Sequence, residues 1–328
     1  MTSATIHAIP VASASDARSA RDTRNDAIFR TVVLCSALLV LAALVGAAAS
    51  TAWGGHQAFA TFGWRFLINE TWNPVTREFG ALVPIYGTLV TALIAMLIAI
   101  PVSFGIALFL SEVAPAWMRQ PVASAVELLA GIPSIIYGMW GLFVFGPFMA
   151  AYIDPWINDH LGAIPGIGAL FRGPPLGIGM LTAGIVLAIM VIPFISSVMR
   201  EVFLTVPARL KESAYALGST TWEVVWDVVL PYTRSAVIGG IFLGLGRALG
   251  ETMAVTFVLG NAHQLSASLL MPSNSIAAAI ANEFTEADSD IYLSSLVALG
   301  FLLFVVTFIV LVIAKLMLRR LNQREGNV

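Results

Sequence analysis

Six long apolar runs, separated by polar or Gly- and Pro-rich stretches, set the pattern of this chain. They fall at about residues 28–52, 84–110, 124–150, 178–199, 236–260 and 293–314. A helix rises 1.5 Å per residue, and about 20 apolar residues cross a hydrocarbon layer of about 30 Å. The runs therefore predict an all-α membrane protein with about six transmembrane helices. Pro101 predicts a kink in the second run, and Gly131-Ile132-Pro133-Ser134 a break in the third. Residues 151–177 read as a partly re-entrant loop. Lipid cannot satisfy irregular backbone, so the 131–134 and 162–177 segments must be buried in protein or face water.

The runs divide the chain into four parts. Residues 1–27, rich in Ala, Ser, Arg and Asp without an apolar period, predict a disordered tail. Residues 28–83 predict an N-terminal anchor and a loop. Ala47-Ala48-Ala49 resembles a signal-peptidase site, but the run before it is too long for a signal-peptide core, so the anchor is read as uncleaved. The loop carries Trp53, Phe59, Phe62, Trp64, Phe66, Trp72 and Phe79, rings suited to a membrane interface or a docking surface. Residues 84–318 form the main transmembrane domain, with an acidic, polar loop at 261–292. Residues 319–328 form a basic tail.

One polar island, residues 212–231, interrupts this pattern. Pro207 suits the first turn of a helix. Gly218 suits the left-handed position that stops it. Thr220 and Glu223 predict a capping box opening a second short helix. On that helix Trp222, Val225, Trp226 and Val229 form one apolar stripe. Two short helices with a Gly corner make a rigid projection. A loop lying on the membrane surface with its Trp stripe in the interface is the plainer alternative, but it leaves the spacing unexplained.

That spacing is Glu212-x-Ala214, three residues, Gly218, eleven residues, Leu230-Pro231. It resembles the cytoplasmic EAA loop of permease subunits of ATP-binding-cassette importers. Ser213 and Val228 depart mildly from the usual Ala and Ile. The resemblance implies a type I ABC importer permease fold. It also implies an ATPase-coupling loop made by Glu212, Ala214, Gly218, Trp222, Trp226, Leu230 and Pro231.

Composition agrees with a membrane chain: 58% hydrophobic and 11% charged, against about 25% charged in soluble domains. Cys35 is the single cysteine, so neither a disulfide within the chain nor a Cys-type metal site is possible. No G-x-x-x-x-G-K-[ST] phosphate loop is present, so ATP hydrolysis falls to a partner and the chain reads as a non-catalytic subunit without cofactors. Of the 17 Lys and Arg, thirteen lie on the N-terminal side of the membrane. Three lie opposite (Arg65, Arg77 and Arg172), and Arg247 sits in a run. Positive charge marks the cytoplasmic side, which predicts cytoplasmic termini and a cytoplasmic 212–231 loop.

Arg247 and Glu251 fall near the middle of the fifth run, four residues apart, and are predicted to share a helix face and pair. Charges at that depth cost at least a few kcal/mol each and point to function. Arg offers a planar fork of donors to a tetrahedral oxyanion, and Glu251 could hold that fork. A purely structural ion pair is the alternative. Gly240 with Gly244, and Gly246 with Gly250, predict faces for close helix approach.

The runs TREFGALVPIYGTL (76–89), IPSIIYGMWGLFVFGP (132–147) and LPYTRSAVIGGIFLGLGRALGETMAV resemble phosphate-importer permeases of the PstC type. The resemblance spans residues 70–318. It implies phosphate as substrate, with Arg247 and Glu251 in its pathway. The implied partners are a second homologous permease (PstA type), a cytoplasmic ATPase dimer (PstB type), a periplasmic phosphate-binding protein (PstS type) and the lipid bilayer of a bacterial inner membrane. A permease for molybdate or sulfate is the runner-up. A secondary anion transporter leaves the EAA spacing unexplained. An intramembrane enzyme lacks H-E-x-x-H, and its four His fall outside the predicted runs.

Overall fold

The computed structural model describes the backbone of residues 13–325 and the side chains of residues 25–316. Among the described residues there are six helices long and apolar enough to cross a membrane, and no strands beyond two isolated bridges. Helix α1 is Ser13–Gly54, α2 His56–Phe62, α3 Leu82–Val113, α4 Ala116–Ala130 and α5 Ser134–His160. Helix α6 is Met180–Leu204, α7 Ala208–Ala216, α8 Thr221–Leu249, α9 Met253–Val258, α10 Ile276–Glu283 and α11 Asp290–Glu325.

Several predicted boundaries move. Helix α1 begins at Ser13, inside the stretch read as a disordered tail, and residues 1–12 lie outside the described residues. Ala and Arg favour helix, and extending a helix needs no new nucleus. The predicted boundary at residue 319 likewise falls within α11. The third crossing is Ser134–His160, not 124–150. Gly131 and Pro133 separate it from α4, which crosses nothing on its own at 15 residues. His160 thus closes the third crossing, with Nδ1 2.9 Å from the Trp156 carbonyl. The fifth crossing is Thr221–Leu249, not 236–260.

Proline explains how the fifth helix starts so early. Segments Gly141–Phe145, Met149–Ile153 and Val225–Val229 are π-wound, and each ends two residues before a proline: Pro147, Pro155 and Pro231. Proline has no N–H to donate and crowds the carbonyl four residues back. A π turn re-routes the backbone bonds there, and at these three prolines the helix continues, whereas the π turn Phe109–Val113 ahead of Pro115 ends its helix.

Helix α6 is the most enclosed of the six crossings. Leu187, Val191, Ile195 and Phe203 are buried between α3 and α8. In lipid, close packing rather than water exclusion holds helices together, so small residues sit at the contacts. A Cβ on Gly184 would lie 2.6 Å from Ile94, and one on Gly240 2.9 Å from Val198. Gly244 meets Ile195 in the same way.

A second core lies under the first loop. Of its seven predicted surface rings, Trp53 and Trp64 are exposed, but the others turn inward: Phe66 and Phe79 are fully buried, Trp72 is nearly so, and Phe59 and Phe62 pack against them. Phe79 stacks on Tyr292 at 4.9 Å and meets Trp72 edge-on at 5.0 Å, while Phe66 packs on Phe59 and Phe62. Part of the 261–292 segment is also inside. Its Asn274 to Ala279 are buried and α10 packs against α3 and α11. The irregular 162–179 stretch meets it. Leu269 N donates to Leu170 O at 2.8 Å, Gly179 N to Val258 O at 2.9 Å and Leu181 N to Leu269 O at 2.8 Å. Irregular backbone in this bundle therefore finds partners in protein, as lipid demands.

Candidate functional site

Two regions carry the predicted chemistry. The first is the 207–231 loop. Pro207 precedes α7, and Gly218 adopts φ +90°. Gly218 N donates to Tyr215 O at 3.0 Å and Ser219 N to Ala214 O at 3.2 Å, which closes the helix end. The capping box forms: Glu223 N donates to Thr220 Oγ1 and Thr220 N to Glu223 Oε2 at 2.7 Å. The second helix is not a separate short one, however. It runs on through Leu230 and Pro231 as the start of α8. The stripe also divides. Val225 and Val229 are buried, while Trp222 and Trp226 face outward, 63% and 47% exposed, in edge contact at 5.4 Å. The π turn between them breaks the 3.6-residue period on which a single stripe depends. Glu212, Gly218 and Leu217 are exposed, and Ala214 packs partly on the core.

The second region is the end of α8. Arg247 lies in the last turn of that helix, where a cation suits the exposed carbonyls. The helix stops at Leu249, and Glu251 lies beyond the Gly250 corner. The predicted shared face and ion pair are therefore absent: among the described residues Arg247 has no carboxylate partner. Glu251 Oε1 instead accepts from Ala254 N at 3.2 Å and caps α9. Glycine lets the chain turn at 250, and an unpaired N–H of the next helix is the nearer claim on the carboxylate. The Arg247 guanidinium rests over the Phe194 ring, 5.7 Å from its centroid.

Around Arg247 one face of α8 is open. Nothing lies within 4 Å of a Cβ built on Gly239 or Gly246, Leu243 is 60% exposed, and Arg247 itself is exposed. Of the two predicted glycine faces, Gly240–Gly244 packs within this chain and Gly246–Gly250 does not.

Two ion-bonded clusters escaped the sequence reading. Lys211 Nζ meets Glu112 Oε1 at 2.6 Å, joining the loop to α3. At the other end of the bundle, Glu283 accepts from Trp72 Nε1 at 2.6 Å, Tyr292 OH at 2.7 Å and His263 Nε2 at 2.7 Å. Burial works to raise the Glu283 pKa. The three donors and the charge of His263 outweigh it, so the carboxyl lies below its ordinary range. Neither cluster has a short-range motif, since their partners are 99, 211, 20 and 9 residues apart.

The family described as binding-protein-dependent transport system inner membrane component matches residues 99–323. The chain belongs to that family. It is 67% identical over 310 residues to a Xylella fastidiosa protein described as phosphate transport system permease protein PstC, covering 94% of this chain and 95% of that one. A Mesorhizobium japonicum protein with the same description is 57% identical over 325 residues, 99% of each chain. The family member at hand is thus of the PstC type. A solved bacterial alginate ABC transporter, in complex with a pentasaccharide-bound periplasmic protein, superposes with TM-score 0.59 at 18% identity, covering 92% of this chain and 97% of that one. At that identity the likeness concerns the fold, which is the type I ABC importer permease fold.

Proposed function

We propose that this chain is the permease subunit of an ATP-driven importer that carries inorganic phosphate across the inner membrane. The single observation that carries the substrate is the 67% identity, over nearly the whole of both chains, to a protein described as a phosphate transport permease. The chain itself does no catalysis. A cytoplasmic ATPase dimer of the PstB type supplies the work, docking on the 207–231 loop through Trp222, Trp226 and Glu212. The exposed tryptophans and the absence of a phosphate loop support this reading.

The open face of α8 receives a second, PstA-type permease, and the anion passes between the two. Arg247, exposed on that face and without a carboxylate partner, offers its fork to phosphate. The Phe194 ring supports one side of the guanidinium, and Glu251 fixes the α8–α9 corner from which Arg247 projects. Both termini and the 207–231 loop are cytoplasmic, as the distribution of Lys and Arg supports. A PstS-type binding protein docks at the opposite end. There an open cleft of about 810 Å³, lined by His56, Gln57, Arg77, Asp288 and Asp290, offers mixed charge.

Competition decides the substrate. In cells depending on this permease with its partners, labelled phosphate uptake should resist a tenfold excess of molybdate or sulfate on the order expected of a fitted oxyanion site. Uptake of molybdate or sulfate in preference to phosphate would refute the reading.

A further inference from the structure

Helix α7 buries none of its own residues, yet it must pass on whatever happens at the loop. Its neighbours along the chain are α6, through the Thr205–Pro207 link, and α8, through the Gly218 corner. Both connections run along the backbone. One side-chain tie runs sideways. Lys211, in the middle of α7, reaches Glu112 in the last, π-wound turn of α3, Nζ to Oε1 at 2.6 Å. The pair is well sheltered, with side-chain exposures of 17% and 7%. Two long, rotamer-rich side chains are thereby fixed, which an exposed surface pair would not achieve. Helix α3 packs along α6, so a push on Glu112 acts on the central pair of crossings.

We propose that the Lys211–Glu112 ion pair is a coupling strut, which transmits displacement of the cytoplasmic loop to α3. This deepens the functional reading above and rests on it. Lys211 and Glu112 are positioning residues: neither touches the anion, and both set how far loop movement opens the pathway. A second contact between the same two parts, Trp226 against Phe104 at 6.4 Å, is apolar and tilted, and it permits sliding. A charge-assisted bond of fixed length does not. Movement of α7 without the pair would be absorbed at the exposed Gly218 corner, where no neighbouring atom lies within 4 Å of a Cβ position.

The experiment uses the complete complex in proteoliposomes and reads phosphate imported per ATP hydrolysed, normalised to assembled complex. Removing one partner strands a sheltered charge and harms folding, whereas removing both relieves it. The informative variant is therefore Lys211→Met with Glu112→Gln. Its assembly should match the parent while its import per ATP falls about tenfold, and Lys211→Arg should stay within about twofold of the parent. A purely structural pair would leave the ratio unmoved, so a double variant within about twofold of the parent overturns the strut. The reversed pair, Lys211→Glu with Glu112→Lys, keeps both charges satisfied. Its recovery to about half of parental coupling supports transmission, and a reversed pair as uncoupled as the neutral double refutes it. Phosphate import by the parent tests the functional reading, and the variant-to-parent ratio in matched vesicles tests the strut.

Discussion

Gly218 is where the loop can be bent without touching anything else. Its φ is +90°, and nothing lies within 4 Å of a Cβ built there. A substitution therefore has no steric cost in this chain beyond its own backbone. Holding a residue with a Cβ in the left-handed region costs about 1–2 kcal/mol. Alanine bears that and no more. Valine, branched at Cβ, resists positive φ further and drives the corner toward negative φ. The bonds Gly218 N to Tyr215 O and Ser219 N to Ala214 O are then lost, at about 0.5–1.5 kcal/mol each. If the ATPase recognises the preformed corner, 1.4 kcal/mol is a factor of ten in affinity, so Gly218→Ala should weaken ATPase binding about tenfold and Gly218→Val about a hundredfold or more. The assay is binding of purified ATPase to the permease pair in nanodiscs, followed by phosphate uptake in vesicles. Wild-type binding and uptake by Gly218→Val, or a larger defect in Gly218→Ala than in Gly218→Val, would refute this reasoning.

Four further outcomes follow from the same geometry. Gly244→Val presses on Ile195 and should destabilise the α6–α8 packing by about 1–3 kcal/mol, seen as a lower melting temperature in detergent; Gly246→Leu meets nothing in this chain, so it should leave monomer stability alone and block pairing with the second permease, and a normal pair would count against the proposed interface. The carboxyl of Glu283 is held below its ordinary range, so its contribution to stability is complete above about pH 4.3, the ordinary glutamate value, and is lost as pH falls through the lower folded value; Glu283→Gln should flatten the acid limb of a melting-temperature profile, and an unchanged limb would remove Glu283 from the account. Ala267→Cys, at an exposed position of the 261–292 segment, should react with a membrane-impermeant thiol reagent added outside spheroplasts carrying Cys35→Ser, while labelling only after lysis would invert the topology.

How much of this was legible beforehand varies by region. Crossing number follows from apolar run length, and it survives because lipid gives a helix no alternative partner for its backbone. Helix ends were less legible. The Leu230-Pro231 pair looks like a stop, but a π turn ahead of the proline carries the helix through it. Arg247 and Glu251 stand at a spacing that pairs them on a continuous helix. Gly250 ends that helix between them, and a glycine that stops a helix looks in sequence like one that packs it. The aromatic loop was read as surface because rings suit both interfaces and cores. Only the partner segment, Tyr292 and α10 some two hundred residues on, decides which. The Lys211–Glu112 and Trp72–Glu283 ties, 99 and 211 residues apart, are hidden for the same reason: one sequence shows which side chains can pair, and the fold shows which do. The capping box and the Gly218 corner were legible in full, because all their partners lie within five residues.

The most direct test of the central claim is phosphate accumulation by proteoliposomes holding this chain with the second permease, the ATPase dimer and the binding protein. The account predicts that labelled phosphate is transported against its gradient only when ATP is on the loop-bearing side and binding protein on the other. Replacing Arg247 and Glu251 together by Gln should leave an assembled complex that imports poorly. Import that proceeds equally well without ATP, or full import by that double variant, would contradict it.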